Sequence, residues 1–119
     1  MLNYMLLLYV EDRAVPGSAE ARAATGALIA YHDELRAQGV LVASDPLAPP
    51  RSATTLRESG GRLVMTDGPF AETREWLGGY FIVRCDDLDD ALRLAALCPT
   101  VARGAVEVRP ILSKPSLDR

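Results

Sequence analysis

Four charged residues crowd into the stretch TDGPFAETREWLGGY, residues 66–80: Asp67, Glu72, Arg74 and Glu75. Glu72 and Glu75 are three apart, so a helical turn would set both carboxylates on one face and turn Arg74 elsewhere. Two carboxylates beside an arginine can divide acid and base roles when burial separates their pKa values. The same residues can also be a solvated charge run. The front of the stretch is turn chemistry. Asp67 can accept hydrogen bonds from backbone amides two or three residues on, Gly68 tolerates the position before a proline, and Pro69 fixes one dihedral.

Two other places could carry chemistry. In GAVEVRPIL, residues 104–112, Val106 and Val108 alternate with Glu107 and Arg109. If the valines face helices, Glu107 and Arg109 point to the other side of the sheet, either as a polar floor or as a structural ion pair. The sole histidine, His32, borders an apolar helix stripe and precedes Asp33 and Glu34. Its imidazole suits a general base near neutral pH, or a surface position beside an acid. With one histidine and two widely spaced cysteines, Cys85 and Cys98, no His- or Cys-based metal set is expected, and both thiols are expected to be reduced and buried. No GxGxxG, P-loop or GxSxG pattern occurs, and no cofactor is expected.

The elements that must position these residues are legible. Residues 3–10, NYMLLLYV, read as a strand apolar on both faces. Ser18 can cap a helix running to about Gln38, with Ala24, Leu28, Tyr31 and Leu35 on one face and Gly39 as its stop. A strand through about Ala43 follows, then an edge broken by Pro46, Pro49 and Pro50. Two short strands flank Ser59, Gly60 and Gly61 as a hairpin, and residues 79–85 form another strand. Asp86 or Asp87 caps a second helix whose apolar face is Leu88, Ala91, Leu92, Ala95 and Cys98, before the last strand.

This order predicts an α+β domain over residues 1–112, a βαββαβ plan with an inserted β-hairpin, with residues 113–119 as a loose tail. Built as one antiparallel sheet with both helices on one face, it leaves the first strand's other apolar face bare. A second copy stacked about 10 Å away across a two-fold axis would cover it. A homodimer is therefore expected.

Composition narrows the partners. The chain has 119 residues, 49% of them apolar, and a net charge of −3. An acidic chain lacks the main driving term for binding a phosphate backbone, so nucleic acid is not expected as a partner. The longest apolar run, residues 4–10, is far shorter than the roughly 20 residues a membrane span needs, and the chain reads as soluble and cytoplasmic.

The wording of DGPFAETREWLGGYFIV and CPTVARGAVEVRPI, with YMLLLYVE and ELRAQGVLV, closely resembles the DGPF-motif branch of the YCII-related proteins. Arg74 stands where that motif more often has lysine, and Asp45-Pro46 stands where Gly-Glu is more usual. The resemblance spans about residues 3–112 and implies a ferredoxin-like domain forming a dimeric α+β barrel. Asp67, Gly68, Pro69, Phe70, Glu72, Glu75 and Gly79 fall in the first motif, with Gly68, Pro69, Phe70 and Gly79 read as the structural turn. Glu107, Arg109 and Pro110 fall in the second, and His32 stands outside both. Similar proteins have a cleft beside the sheet, some with a His/Asp pair, and genes of this type often lie beside those of extracytoplasmic-function sigma factors, which implies an accessory or sensing role.

Two functions follow. One is a dimeric module that binds a small molecule. The other is a cofactor-independent enzyme on a small polar or aromatic metabolite, with Asp67 or Glu75 as base, Arg109 holding an anionic group, Tyr31 or Trp76 packing the substrate, and Glu107, Glu72 and His32 as further ligand-binding residues.

Overall fold

The computed structural model describes residues 1–11 and 16–112, so the expected tail lies outside the described residues. Strand β1 (Leu2–Val10) is followed by helix α1 (Ala19–Ala37), β2 (Leu41–Pro46), β3 (Thr54–Ser59), β4 (Arg62–Asp67), β5 (Trp76–Cys85), helix α2 (Leu88–Ala96) and β6 (Gly104–Pro110). The main sheet has the order β2-β5-β1-β6, and every neighbouring pair is antiparallel. With its two helices this is an α+β architecture compatible with a ferredoxin-like fold. The hairpin β3–β4 does not join that sheet, contrary to the one-sheet expectation; it forms a two-stranded sheet of its own.

Local chemistry sets the helix limits. Ser18 accepts a hydrogen bond from the Ala21 amide at 3.1 Å and caps α1. At the other end the Gly39 amide bonds to the Arg36 carbonyl and the Val40 amide to that of Leu35, the paired bonds of a Schellman ending. For α2 the cap is Asp87, which accepts from the Asp90 amide at 2.9 Å. Asp90 in turn accepts from the Asp86 amide at 3.2 Å, so the first turn closes reciprocally.

The core lies between the helices and one face of the sheet. Tyr4, Leu6 and Leu8 of β1, Phe81, Val83 and Cys85 of β5, Tyr31 and Leu35 of α1, and Ala91, Leu94, Ala95 and Cys98 around α2 are buried together. Leu88 and Leu92, expected on the apolar face of α2, are about half exposed instead. The buried stripe runs instead through Ala91, Leu94 and Ala95. Near the first residue of β6, a Cβ on Gly104 would stand 2.0 Å from the Tyr9 carbonyl oxygen, so that crossing of β6 and β1 requires glycine. Burial pushes both cysteine thiols above their ordinary range, most directly by removing the charged form from water.

Among the described residues, no helix covers the opposite face of the sheet. In register, one row runs Ala43, Ile82, Met5, Arg109 and the next Asp45, Tyr80, Leu7, Glu107. An apolar centre of Met5, Leu7 and Ile82 is thus flanked by polar rims. Tyr80 donates to Asp45 at 2.7 Å on one rim and Tyr9 to Glu107 at 3.3 Å on the other. The bond to the Asp45 carboxylate pushes the Tyr80 hydroxyl above its usual range.

Candidate functional site

A cleft opens where α1 passes over the β2 edge of the sheet. Its cavity measures about 430 Å³ and is lined from α1 by Thr25, Leu28, Ile29 and His32, from β2 by residues 44–46, and from β5 by residues 78–81, with Leu8 at the back. Register explains the space. On the helix-facing side of the sheet, Leu8, Gly79 and Pro46 form one row, and Phe81 and Ser44 stand in the next. Gly79 leaves the floor without a side chain; a Cβ there would also lie 3.0 Å from the Asp45 carbonyl oxygen, so the close approach of β2 and the open floor share one cause. Gly79, read both as the start of a strand and as part of the structural turn, lies inside β5 and not in the turn.

Pro46 is tolerated because β2 is an edge strand, where a missing amide donor faces away from the ladder. Asp45 and Tyr80 border the cleft, but register turns their side chains to the other face of the sheet. The polar side chains on the helix-facing side are accordingly Thr25, Ser44 and His32. His32 lies at the lip with its side chain 35% exposed, its Nδ1 lying 3.1 Å from the Asp33 carboxylate. That contact orients an Nδ1–H tautomer and leaves Nε2 as the acceptor of the neutral ring. The His32 ring centre is 6.5 Å from that of Phe81, which forms the apolar wall behind it.

The other sequence candidates are distributed elsewhere. Tyr31 is in the core: its hydroxyl donates to the Leu94 carbonyl at 2.7 Å, and burial, with the nearby Cys98 and Cys85, raises its pKa. It ties α1 to α2 and is out of a ligand's reach. Asp67 ends β4, Glu72 and Glu75 are exposed in the following segment, and Arg109 and Glu107 are exposed on the uncovered sheet face. One chain does not bring these five into a common cavity. Trp76, at the start of β5, lines a second cavity of about 490 Å³ with Val10, Glu11, Ala24, Thr100 and Arg103.

The helical turn expected to align Glu72 with Glu75 does not form. Thr73 instead donates its hydroxyl to the Glu75 carbonyl, and Arg74 reaches across to Glu11 at 2.8 Å, which keeps the segment open as it enters β5. The turn before it is held differently from the expectation for Asp67. The Gly68 amide bonds to the Ala53 carbonyl and the Thr55 hydroxyl to the Gly68 carbonyl, both at 2.8 Å, while Gly68 sits at φ 106°. Phe70 lies under the Arg57 guanidinium, 5.1 Å from ring centre to charge.

Sequence reading missed Ser44, Thr25, Ile29 and Phe81 as cleft residues. None carries a chemical signature; the β2–β5 register, with Gly79 as the gap, would have found Ser44 and Phe81, whereas Thr25 and Ile29 lie beside Leu28 on α1.

The family model for the YCII-related domain matches residues 2–114, nearly the whole chain. The chain belongs to the YCII-related family. A protein of Rhizobium meliloti (strain 1021), described only as uncharacterized, is 44% identical over 72 residues. The match covers 58% of this chain and 58% of that relative. Within this YCII-related chain, among the described residues, no three His, Cys, Asp or Glu side chains gather as a metal-binding group. No described helix is long and apolar enough to cross a membrane, which says nothing of strands.

Proposed function

We propose that this YCII-related protein is a dimeric module that binds a small, uncharged aromatic or alicyclic molecule in the cleft between α1, β2 and β5. The observation that carries this reading is the cleft's lining. Its volume is in the range of small-molecule sites, its walls are Leu8, Leu28, Ile29, Pro46 and Phe81, and among the described residues no lysine or arginine lines it. Among the described residues an anion would find no lysine or arginine there and would have the Asp45 carboxylate nearby. A hydroxyl or ring N–H on the ligand would find Ser44, Thr25 or His32. The wording of residues 67–79 and 107–110 further supports the DGPF-motif branch of the family.

The dimer reading rests on the uncovered face. Met5, Leu7 and Ile82 are partly buried in one chain with no helix over them, and a second sheet packed on them would remove their remaining surface from water.

Titration calorimetry with indole, as an uncharged probe, and benzoate, as an anionic one, tests the ligand class. Indole is expected to bind and benzoate not to. Thr25→Trp, which fills the cleft from the helix side, is expected to abolish indole binding. Preference for benzoate, or indole binding unchanged in Thr25→Trp, would sink the assignment. The His32–Asp33 pair at the lip favours one elaboration, proton abstraction from a bound ligand by Nε2, for which His32→Ala would remove turnover and lower indole affinity by no more than the loss of one hydrogen bond.

A further inference from the structure

The second cavity shares with the cleft, among the described residues, only Thr25 and Leu28 of α1. Its floor is the last row of the sheet, where Trp76 pairs with Val10 and Val10 with Gly104. From α1 it receives Ala21, Ala24 and Ala27, and these short side chains leave the space open. At about 490 Å³ it is in the range of small-molecule sites.

Polar groups gather at one end of it. Glu11 follows Val10 and Arg103 precedes Gly104, so the β1–β6 pairing sets these two residues next to one another across the strand ends, and both line the cavity. Each has a partner of opposite charge that does not line it. Arg74 bonds to Glu11 at 2.8 Å, and Glu20 stands 3.8 Å from Arg103.

This balance selects among ligands. A carboxylate would meet Glu11 and an ammonium group would meet Arg103, so neither net charge is favoured. A neutral ring with an N–H donor beside a C=O acceptor matches both residues at once. The Arg103–Glu20 contact is too long for a hydrogen bond and does not consume the guanidinium donors. A carboxylate accepts several hydrogen bonds, so the pairing of Glu11 with Arg74 is compatible with one more. The indole of Trp76 supplies a flat apolar surface for the ring.

We propose that this cavity binds a planar cyclic amide or imide, with its ring against Trp76, its C=O accepting from Arg103 and its N–H donating to Glu11. The site is separate from the cleft and rests neither on the cleft's ligand nor on the dimer.

Trp76 is the sole tryptophan, so its emission reports on this cavity. Uracil is the probe, and N,N′-dimethyluracil, which keeps both carbonyls and loses both N–H groups, is the control. Uracil is expected to change the emission along a saturating curve, with the control at least about tenfold weaker. Arg103→Leu, at a side chain 40% exposed, is expected to weaken uracil by a similar factor. Ala24→Phe, which fills this cavity from a position that does not line the cleft, is expected to abolish the response. Emission that stays constant through the millimolar range of uracil overturns the site, as does equal affinity for the dimethylated ring. An unchanged uracil curve in Ala24→Phe places binding elsewhere and overturns it too. If Ala24→Phe does not fold, Arg103→Leu decides, and undiminished uracil affinity there overturns the proposal. Failure of indole to bind the cleft leaves this test untouched.

Discussion

The two faces of the β2-β5-β1-β6 sheet are built from the same alternating strands and meet opposite surroundings. On one side Tyr4, Leu6 and Leu8 are sealed by α1 and α2; on the other, one residue along, Met5, Leu7 and Tyr9 remain partly open. Alternation alone would make them equivalent. What separates them is the helix layer, which covers one face and stops short at the β2 edge, where Gly79 leaves the cleft. On the proposed reading, binding falls to the helix-facing side and assembly to the uncovered side.

Changing the close crossing of β6 over β1 has the largest expected effect. Gly104→Ala places a Cβ within 2.0 Å of the Tyr9 oxygen, and a loss on the order of 4 kcal/mol or more is expected from chemical denaturation. A loss below about 1 kcal/mol would show that β6 shifts freely there.

A sharper contrast sets neighbours against each other. Leu6→Ala removes a fully buried side chain and is expected to cost about 2–5 kcal/mol. Leu7→Lys, on the uncovered face, is expected to leave the unfolding of the dilute single chain nearly unchanged while weakening self-association. Equal destabilisation of the dilute chain by both would erase the distinction between the faces.

The smallest expected effect is at the capping turn of α2. The Arg93 side chain, 2.8 Å away, and the Asp86 amide hold the Asp90 carboxyl below its ordinary range. A carboxyl depressed on folding stabilises above its unfolded pKa, near 4, and loses that contribution as pH falls through the folded value. The difference in melting temperature between wild type and Asp90→Asn should therefore be present at about pH 6 and vanish toward about pH 3. A difference independent of pH would contradict the ionic origin.

Much of the fold was legible because its signals are local. Ser18, Gly39 and an aspartate before Leu88 are end signals that act within one helical turn, and both helices begin and end beside them. The apolar faces of β1 were legible for the same reason. The bare second face of β1 stood out because no helix stripe remained to cover it. The site was harder to read. The charges in residues 66–75 looked like chemistry by composition, yet the open backbone after Pro69, with Thr73 and Arg74 bonded elsewhere, spreads them over the surface. The cleft is instead made by residues with no chemical signature, brought together by strand register and by the absence of a side chain at Gly79. His32 was singled out by its type, and its place at the lip follows from its position beside the Leu28 stripe. Leu88 and Leu92 were placed on the apolar face by period, but the face that packs on the sheet is centred on Ala91, Leu94 and Ala95.

The division of the sheet into a binding face and an assembly face is tested most directly by methyl-resolved NMR during an indole titration. The methyl signals of Leu8, Leu28 and Ile29 are expected to move with a common saturation curve while those of Leu7 and Ile82 stay in place. Movement confined to Leu7 and Ile82, with Leu8 and Ile29 silent, would put the binding site on the uncovered face and contradict the account.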